Sequence, residues 1–194
     1  LIMKNKVLGT KESLDLIVQS IQQTKIKLYH QRFYYLFWGW LVLVTSLAHY
    51  LLAYYQVVSR PYLVWPITGG LEFPATLRYG FKNSQKTGYV ETFLDRTLKH
   101  LWIVVGISVF VVIWVVAQAY QSNPMPIISI LIGIGTLVSG LQMRFTPLII
   151  GGSSFFVGAI VLLYVTPMEG LLVYDICVIL GYLIPGYRLK NETA

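Results

Sequence analysis

Six long apolar runs, at residues 33–55, 61–77, 101–120, 124–143, 147–165 and 170–185, decide what this chain can fold into. A helix rises about 1.5 Å per residue, so about 20 apolar residues cross the hydrocarbon core of a bilayer. Backbone N–H and C=O groups find no water there, and a run of this length satisfies them internally only as an α-helix. The composition agrees: 56% of the 194 residues are hydrophobic and 12% charged, about half the charge of an ordinary globular domain. The expected fold class is all-α, a polytopic membrane bundle of six transmembrane helices. Residues 1–32 form a cytoplasmic amphipathic segment, 33–187 the transmembrane domain with a cytoplasmic loop at 78–100, and 188–194 a cytoplasmic tail. Six spans leave too few residues for a separate soluble domain.

The second run is the weakest, since it carries Pro66, Gly69, Gly70, Glu72 and Pro74. A carboxylate at the centre of a spanning helix costs about 2.5–3.5 kcal/mol. The basic residues argue that the run crosses all the same. With six crossings one face receives 14 of the Lys and Arg residues and the other only Arg60, whereas without the second crossing the division is 6 against 9. Only the first obeys the positive-inside rule, so both termini are expected in the cytoplasm. The net charge of +7 is thereby explained by membrane orientation, and nucleic acid is not an expected partner. The chain opens on Leu1, with Met3 a candidate start, and residues 1–32 are too polar for a secretory signal peptide.

Two cytoplasmic segments have helical apolar spacing. Leu14, Ile17, Val18, Ile21 and Leu28 oppose Lys11, Asp15, Gln19, Gln22 and Gln23, with Thr10 or Ser13 as an N-cap, and this helix is expected on the membrane surface. Val90, Phe93, Leu94, Thr97 and Leu98 form a second stripe, either a separate helix or an extension of the third span. Aromatic residues near run ends read as interfacial belts: Tyr34, Tyr35, Trp38 and Trp102 on the cytoplasmic side, Tyr54, Tyr55, Tyr62, Trp65 and Tyr120 on the outer side.

Charged groups inside hydrocarbon are functional candidates by default, and two carboxylates qualify, Glu72 and Asp175. Around Glu72 the helix breakers Pro66, Gly69, Gly70 and Pro74 suggest an interrupted span facing a polar cavity, the device by which transporters build substrate sites. The plainer alternative for either acid is a polar clasp between helices. His49 in the first span has a depth similar to that of Asp175, and the two are a candidate pair. Pro66-x-x-Gly69-Gly70-x-x-Phe73 is echoed by Pro147-x-x-x-Gly151-Gly152-x-x-Phe155, a faint sign of inverted halves. In the fourth span Gly135 and Ser139, and Thr136 and Gly140, put small residues four apart, a helix-packing face that serves either the bundle or a homodimer seam.

Cys177, the one cysteine, provides neither an internal disulfide nor a thiolate metal site. HExxH, P-loop, GxSxG and Cys/His-cluster patterns do not occur, which disfavours familiar hydrolases and ATP-driven pumps, and no cofactor, metal or catalytic residue is expected. The pieces Glu12-Ser-Leu-Asp-Leu-Ile17, Gln23-Thr-Lys25, Leu36-Phe-Trp-Gly-Trp40, Gly133-Ile-Gly-Thr-Leu-Val-Ser-Gly140 and Phe145-Thr-Pro-Leu-Ile-Ile-Gly-Gly152 resemble a family of small bacterial six-span integral membrane proteins with no established activity. The resemblance covers nearly the whole chain and implies an inner-membrane location, with no functional residue to carry over. Two functions remain open: a small transporter or channel-like module with a polar cavity near Glu72, or a membrane sensor, regulator or assembly component that docks a protein partner through its basic amphipathic segments. Membrane lipid is the expected surrounding partner in both, with a homo-oligomer as a further option.

Overall fold

The computed structural model of the protein describes residues 10–70, 74, 76, 78, 93–116, 118 and 123–191. Within them the chain is helical, with short turns and no strand. Four helical stretches are long and apolar enough to cross a membrane, Gln31–Tyr54, Asp95–Val115, Met125–Met143 and Pro167–Leu189, and a shorter apolar helix covers Thr146–Val161. Large apolar side chains such as Ile107, Phe110, Trp114, Ile150, Val157 and Leu163 point outward, while Thr45, Ser46, Ser129, Thr136, Ser139 and Asp175 are buried. Apolar outside and polar inside is the make-up of a membrane protein.

Helix α1 (Thr10–Tyr54) is one helix of 45 residues, about 67 Å long at the standard rise. The amphipathic segment expected as a separate surface helix ending before residue 33 is therefore continuous with the first span. The composition changes near Arg32, but nothing there breaks a backbone, since no proline or glycine lies between Thr10 and Trp38. The helix ends where Gln56 turns into the left-handed region at φ 52°. Val57 N–H donates to Leu52 O (3.1 Å) and Gln56 N–H to Ala53 O (3.2 Å), a Schellman closure with glutamine in the usual glycine position.

A 3₁₀ turn at Pro61–Leu63 leads into α2 (64–70). Next come α3 (Phe93–Val115), α4 (Met125–Met143) and α5 (Thr146–Val161), then α6 (Pro167–Val178), a π-helical turn at Ile179–Leu183 and α7 (Ile184–Asn191). The stripe from Phe93 to Leu98 is the first part of α3, so the second amphipathic segment joins the third span over these residues. Helices α4 and α5 form a hairpin closed by Arg144, which is left-handed at φ 52°, and again sealed by a 6→1 bond, Phe145 N–H to Gly140 O at 2.9 Å. Thr166 caps α6 in a capping box: its Oγ1 accepts from Glu169 N–H, and Glu169 Oε2 accepts from Thr166 N–H (3.0 Å), with Pro167 at the first helical position.

Small residues set the packing. A Cβ on Gly152 would lie 2.5 Å from Leu137 N, one on Gly140 would lie 2.8 Å from Ile149 N, and one on Gly151 would lie 2.5 Å from Leu180 O. Helix α5 is thus wedged backbone to backbone between α4 and the π turn. Contacts of Gly39 with Leu183, Gly186 with Leu36, and Ser46 with Leu171 run α1 antiparallel to the α6–α7 stretch. The core between these helices holds Tyr35, Leu148, Phe155, Tyr174, Val178, Tyr182 and Leu189.

A polar interior column as the candidate functional site

The buried polar side chains come from three elements. On α1, positions 32, 35, 39, 42, 46 and 49 recur at three- and four-residue spacing and share one face. Tyr35, Gly39 and Ser46 on that face are buried. On α4, Ser129, Thr136 and Ser139 are fully buried. The third element is the α6–α7 stretch, with Tyr174 and Asp175 before the π turn and Tyr182 inside it. A π turn inserts one extra residue into a helix and commonly marks a functional position.

Asp175 is 5% exposed. Ser46 of α1 stands beside it, and the Ser46 hydroxyl donates to Leu171 O at 3.5 Å. Tyr174 and Cys177 flank it on its own helix, and the Cys177 thiol donates to Ser154 O. Tyr182 is the hub of a ring cluster: its centroid is 5.8 Å from Tyr35, 6.2 Å from Trp102 and 6.0 Å from Phe155, which is in turn 5.9 Å from Tyr174, all edge-on. Tyr35 OH lies within reach of the Ser139 hydroxyl, and Thr136 Oγ1 within reach of the Tyr182 hydroxyl. The Ser139 and Ser129 hydroxyls donate to Gly135 O (2.7 Å) and Phe155 O (2.8 Å).

The residues singled out from sequence fall in different places. Glu72 lies outside the described residues. Helix α2 runs unbroken through Pro66, Gly69 and Gly70, and Pro74 is helical as well; proline in the first turn of a helix removes no intrahelical hydrogen bond. His49 Nδ1 accepts from Trp65 Nε1–H at 3.1 Å, joining α1 to α2. Gly135 meets Trp102 and Val105 of α3, Gly140 meets Leu148 and Ile149, and Thr136 and Ser139 face the tyrosine cluster, so this small face is occupied by the chain's own helices. The paired-glycine echo is not matched in packing. Gly151 and Gly152 touch backbone, whereas no described atom comes within 4 Å of a Cβ on Gly69 or Gly70.

Tyr35, expected in the cytoplasmic-side belt, is instead turned into the core, and Trp102 is partly buried. Tyr35 is 3% exposed and both rings meet Tyr182. The hydroxyl column of Tyr35, Thr136, Ser139 and Tyr182 is the part that sequence reasoning missed as a unit; the three-residue spacing of Thr136, Ser139 and Gln142 was its available signal. Among the described residues no three His, Cys, Asp or Glu side chains converge as a metal site requires. Comparison with family models, curated proteins and solved structures finds no match for the chain.

Proposed function

We propose that the protein is a six-span bacterial inner-membrane protein, both termini cytoplasmic, acting as a small transporter module whose intramembrane acid, Asp175, takes up and releases a proton. One observation carries this reading: a carboxyl buried in the apolar part of a spanning helix, with the Ser46 hydroxyl beside it and no cation against it among the described residues. Such a group is costly to keep for packing alone and is the usual mark of an ion or proton pathway.

The directions of the helices favour six passages. Trp102, seven residues into the apolar part of α3, is level through Tyr182 with Tyr35, four residues into that of α1. That registry suits α1 and α3 running the same way, which requires a return crossing by residues 61–77, and the His49–Trp65 bond is consistent with such a return. The cations agree: Arg32, Arg144 and Arg188 gather at one end, with Arg60 near the other.

The test is proton flux in proteoliposomes under an imposed potential. Asp175→Asn is expected to reduce flux to the level of empty vesicles, while Ser153→Ala, on the outward face of α5, leaves it unchanged. Unaltered flux in Asp175→Asn would refute the assignment. Glu72→Gln in the same assay asks whether the second acid shares the role.

The long stem of α1 favours a second reading. Residues 10–30 continue the helix by about 30 Å beyond the span, a shape suited to docking a protein partner. If deleting residues 1–28 releases a co-purifying protein while Asp175→Asn leaves flux intact, that reading replaces the first.

A further inference from the structure

Three arginines from three different elements come to one end of the bundle. Helix α1 runs antiparallel to the α6–α7 stretch, with Leu36 against Gly186 and Ser46 against Leu171. Arg32 is four residues from Leu36 and Arg188 two from Gly186, both toward the same end, so their backbones are level within about 3 Å. Helix α5 is also antiparallel to that stretch, with Gly151 against Gly181 and Gly158 against Cys177, and its hairpin partner α4 therefore runs opposite to α1. Arg144, at the α4–α5 turn, thus comes to the end that Arg32 occupies, and its neighbour Phe145 shares the core with Tyr35 and Leu189. Each arginine is within one residue of the end of a long apolar helix, at Gln31, Met143 or Leu189. That is the depth of lipid headgroups.

Two further observations set these side chains apart from ordinary surface charge. Arg144 closes its helix at φ 52°, a position glycine fills without strain, and a side chain kept in a costly backbone conformation points to a use for that side chain. Among the described residues no carboxylate is paired with Arg32, Arg144 or Arg188: Glu169 is bonded to Thr166, Asp175 stands beside Ser46, and Asp95 precedes Lys99 by four residues on α3. Arg144 and Arg188 are exposed, and Arg32 is half-buried, with its stem held against the bundle. We propose that the three guanidinium groups form a binding site for the phosphate of one anionic phospholipid, whose acyl chains lie along the apolar outer faces of the helices. Guanidinium forks match phosphate oxygens in pairs, and basic groups gathered between helices at headgroup depth are the setting in which acidic lipids are held. The inference is independent of the role of Asp175.

The test titrates the full chain, in a non-ionic detergent, with phosphatidylglycerol. Native mass spectrometry counts the bound lipid, and thermal unfolding records the rise in Tm that binding to the folded state produces. One phosphatidylglycerol is expected to bind in preference to phosphatidylcholine, which carries the same phosphate without net charge. Arg144→Gly and Arg188→Gln are each expected to weaken binding about fivefold, the worth of one basic group near an acidic lipid. Lys99→Gln removes the same charge from an exposed position on α3 and is expected to leave binding unchanged. Arg144→Gly also separates binding from folding: without lipid it is expected to unfold no earlier than the wild type, since glycine suits the turn. Equal weakening in Lys99→Gln would mean a diffuse field of positive charge in place of a site, and would overturn the proposal. Phosphatidylcholine bound as tightly as phosphatidylglycerol would overturn it as well. Glycerol phosphate, the headgroup without acyl chains, is expected to give no rise in Tm at the same concentration; a rise equal to that with the lipid would make a soluble anion the ligand and defeat the lipid assignment.

Discussion

Glycine has two distinct jobs in this chain, and the difference can be measured one residue at a time. At Gly152 an added Cβ would stand 2.5 Å from Leu137 N and 2.7 Å from its Cα, backbone atoms that move only if α4 and α5 part. Gly152→Ala is expected to destabilise the detergent-solubilised protein by about 1–3 kcal/mol, the usual cost of overfilling a tight interface. At Gly106 of α3 no described atom comes within 4 Å of the same position. Gly106→Ala is expected to be neutral or to stabilise by up to about 1 kcal/mol through helix propensity. Thermal unfolding of the two variants side by side checks the contrast; equal losses would mean that the open face of Gly106 is occupied. Sequence spacing alone picks out Gly135, Thr136, Ser139 and Gly140 as a packing face, because small residues four apart in an apolar helix have few other uses. It marks Asp175 for the energetic reason that a lone carboxylate does not belong in hydrocarbon. It does not mark Tyr35. A tyrosine near the end of a span is equally at home in the headgroup region, and only the neighbouring helix decides which way the ring turns.

At the scale of elements, the π turn at Ile179–Leu183 is the feature no periodicity announces, since one extra residue in an apolar helix leaves the hydropathy unchanged. It buries Gly181, Tyr182 and Leu183 together against α1 and α5. Deleting Ile179, which points outward, is expected to let the segment close into a regular α-helix with both flanks kept in place. The deletion variant should lose about 3–5 kcal/mol of stability, the usual cost of emptying a buried aromatic site. It should also lose proton flux, because Tyr182 is turned away from Tyr35 and Phe155. Full flux in a folded deletion variant would show that the turn serves packing only. The continuity of α1 was hidden for a different reason. The change from mixed to apolar composition near Arg32 marks where the environment of the helix changes, and an environment boundary need not be a helix boundary.

For the whole molecule, fold class was legible because hydropathy and run length are collective quantities that survive local errors, and the four long apolar helices follow from them. Threading depends on a single segment, and its passage can be tested by parity. If residues 61–77 cross, an odd number of passages separates Arg60 from both Arg144 and Arg188; if they do not, the number is even and all three lie on one side. Cys177 is buried against Gly158, so Cys177→Ala gives a background without a competing thiol. On that background Arg60→Cys is expected to react with a membrane-impermeant maleimide in intact cells. Arg144→Cys and Arg188→Cys should react only after permeabilisation, since the positive-inside rule assigns their end to the cytoplasm. Labelling of all three from the same side would remove the return crossing. Arg60 would then share a side with Arg188, against the antiparallel packing of α1 on the α6–α7 stretch, which puts Arg32 and Arg188 at one end and Arg60 at the other.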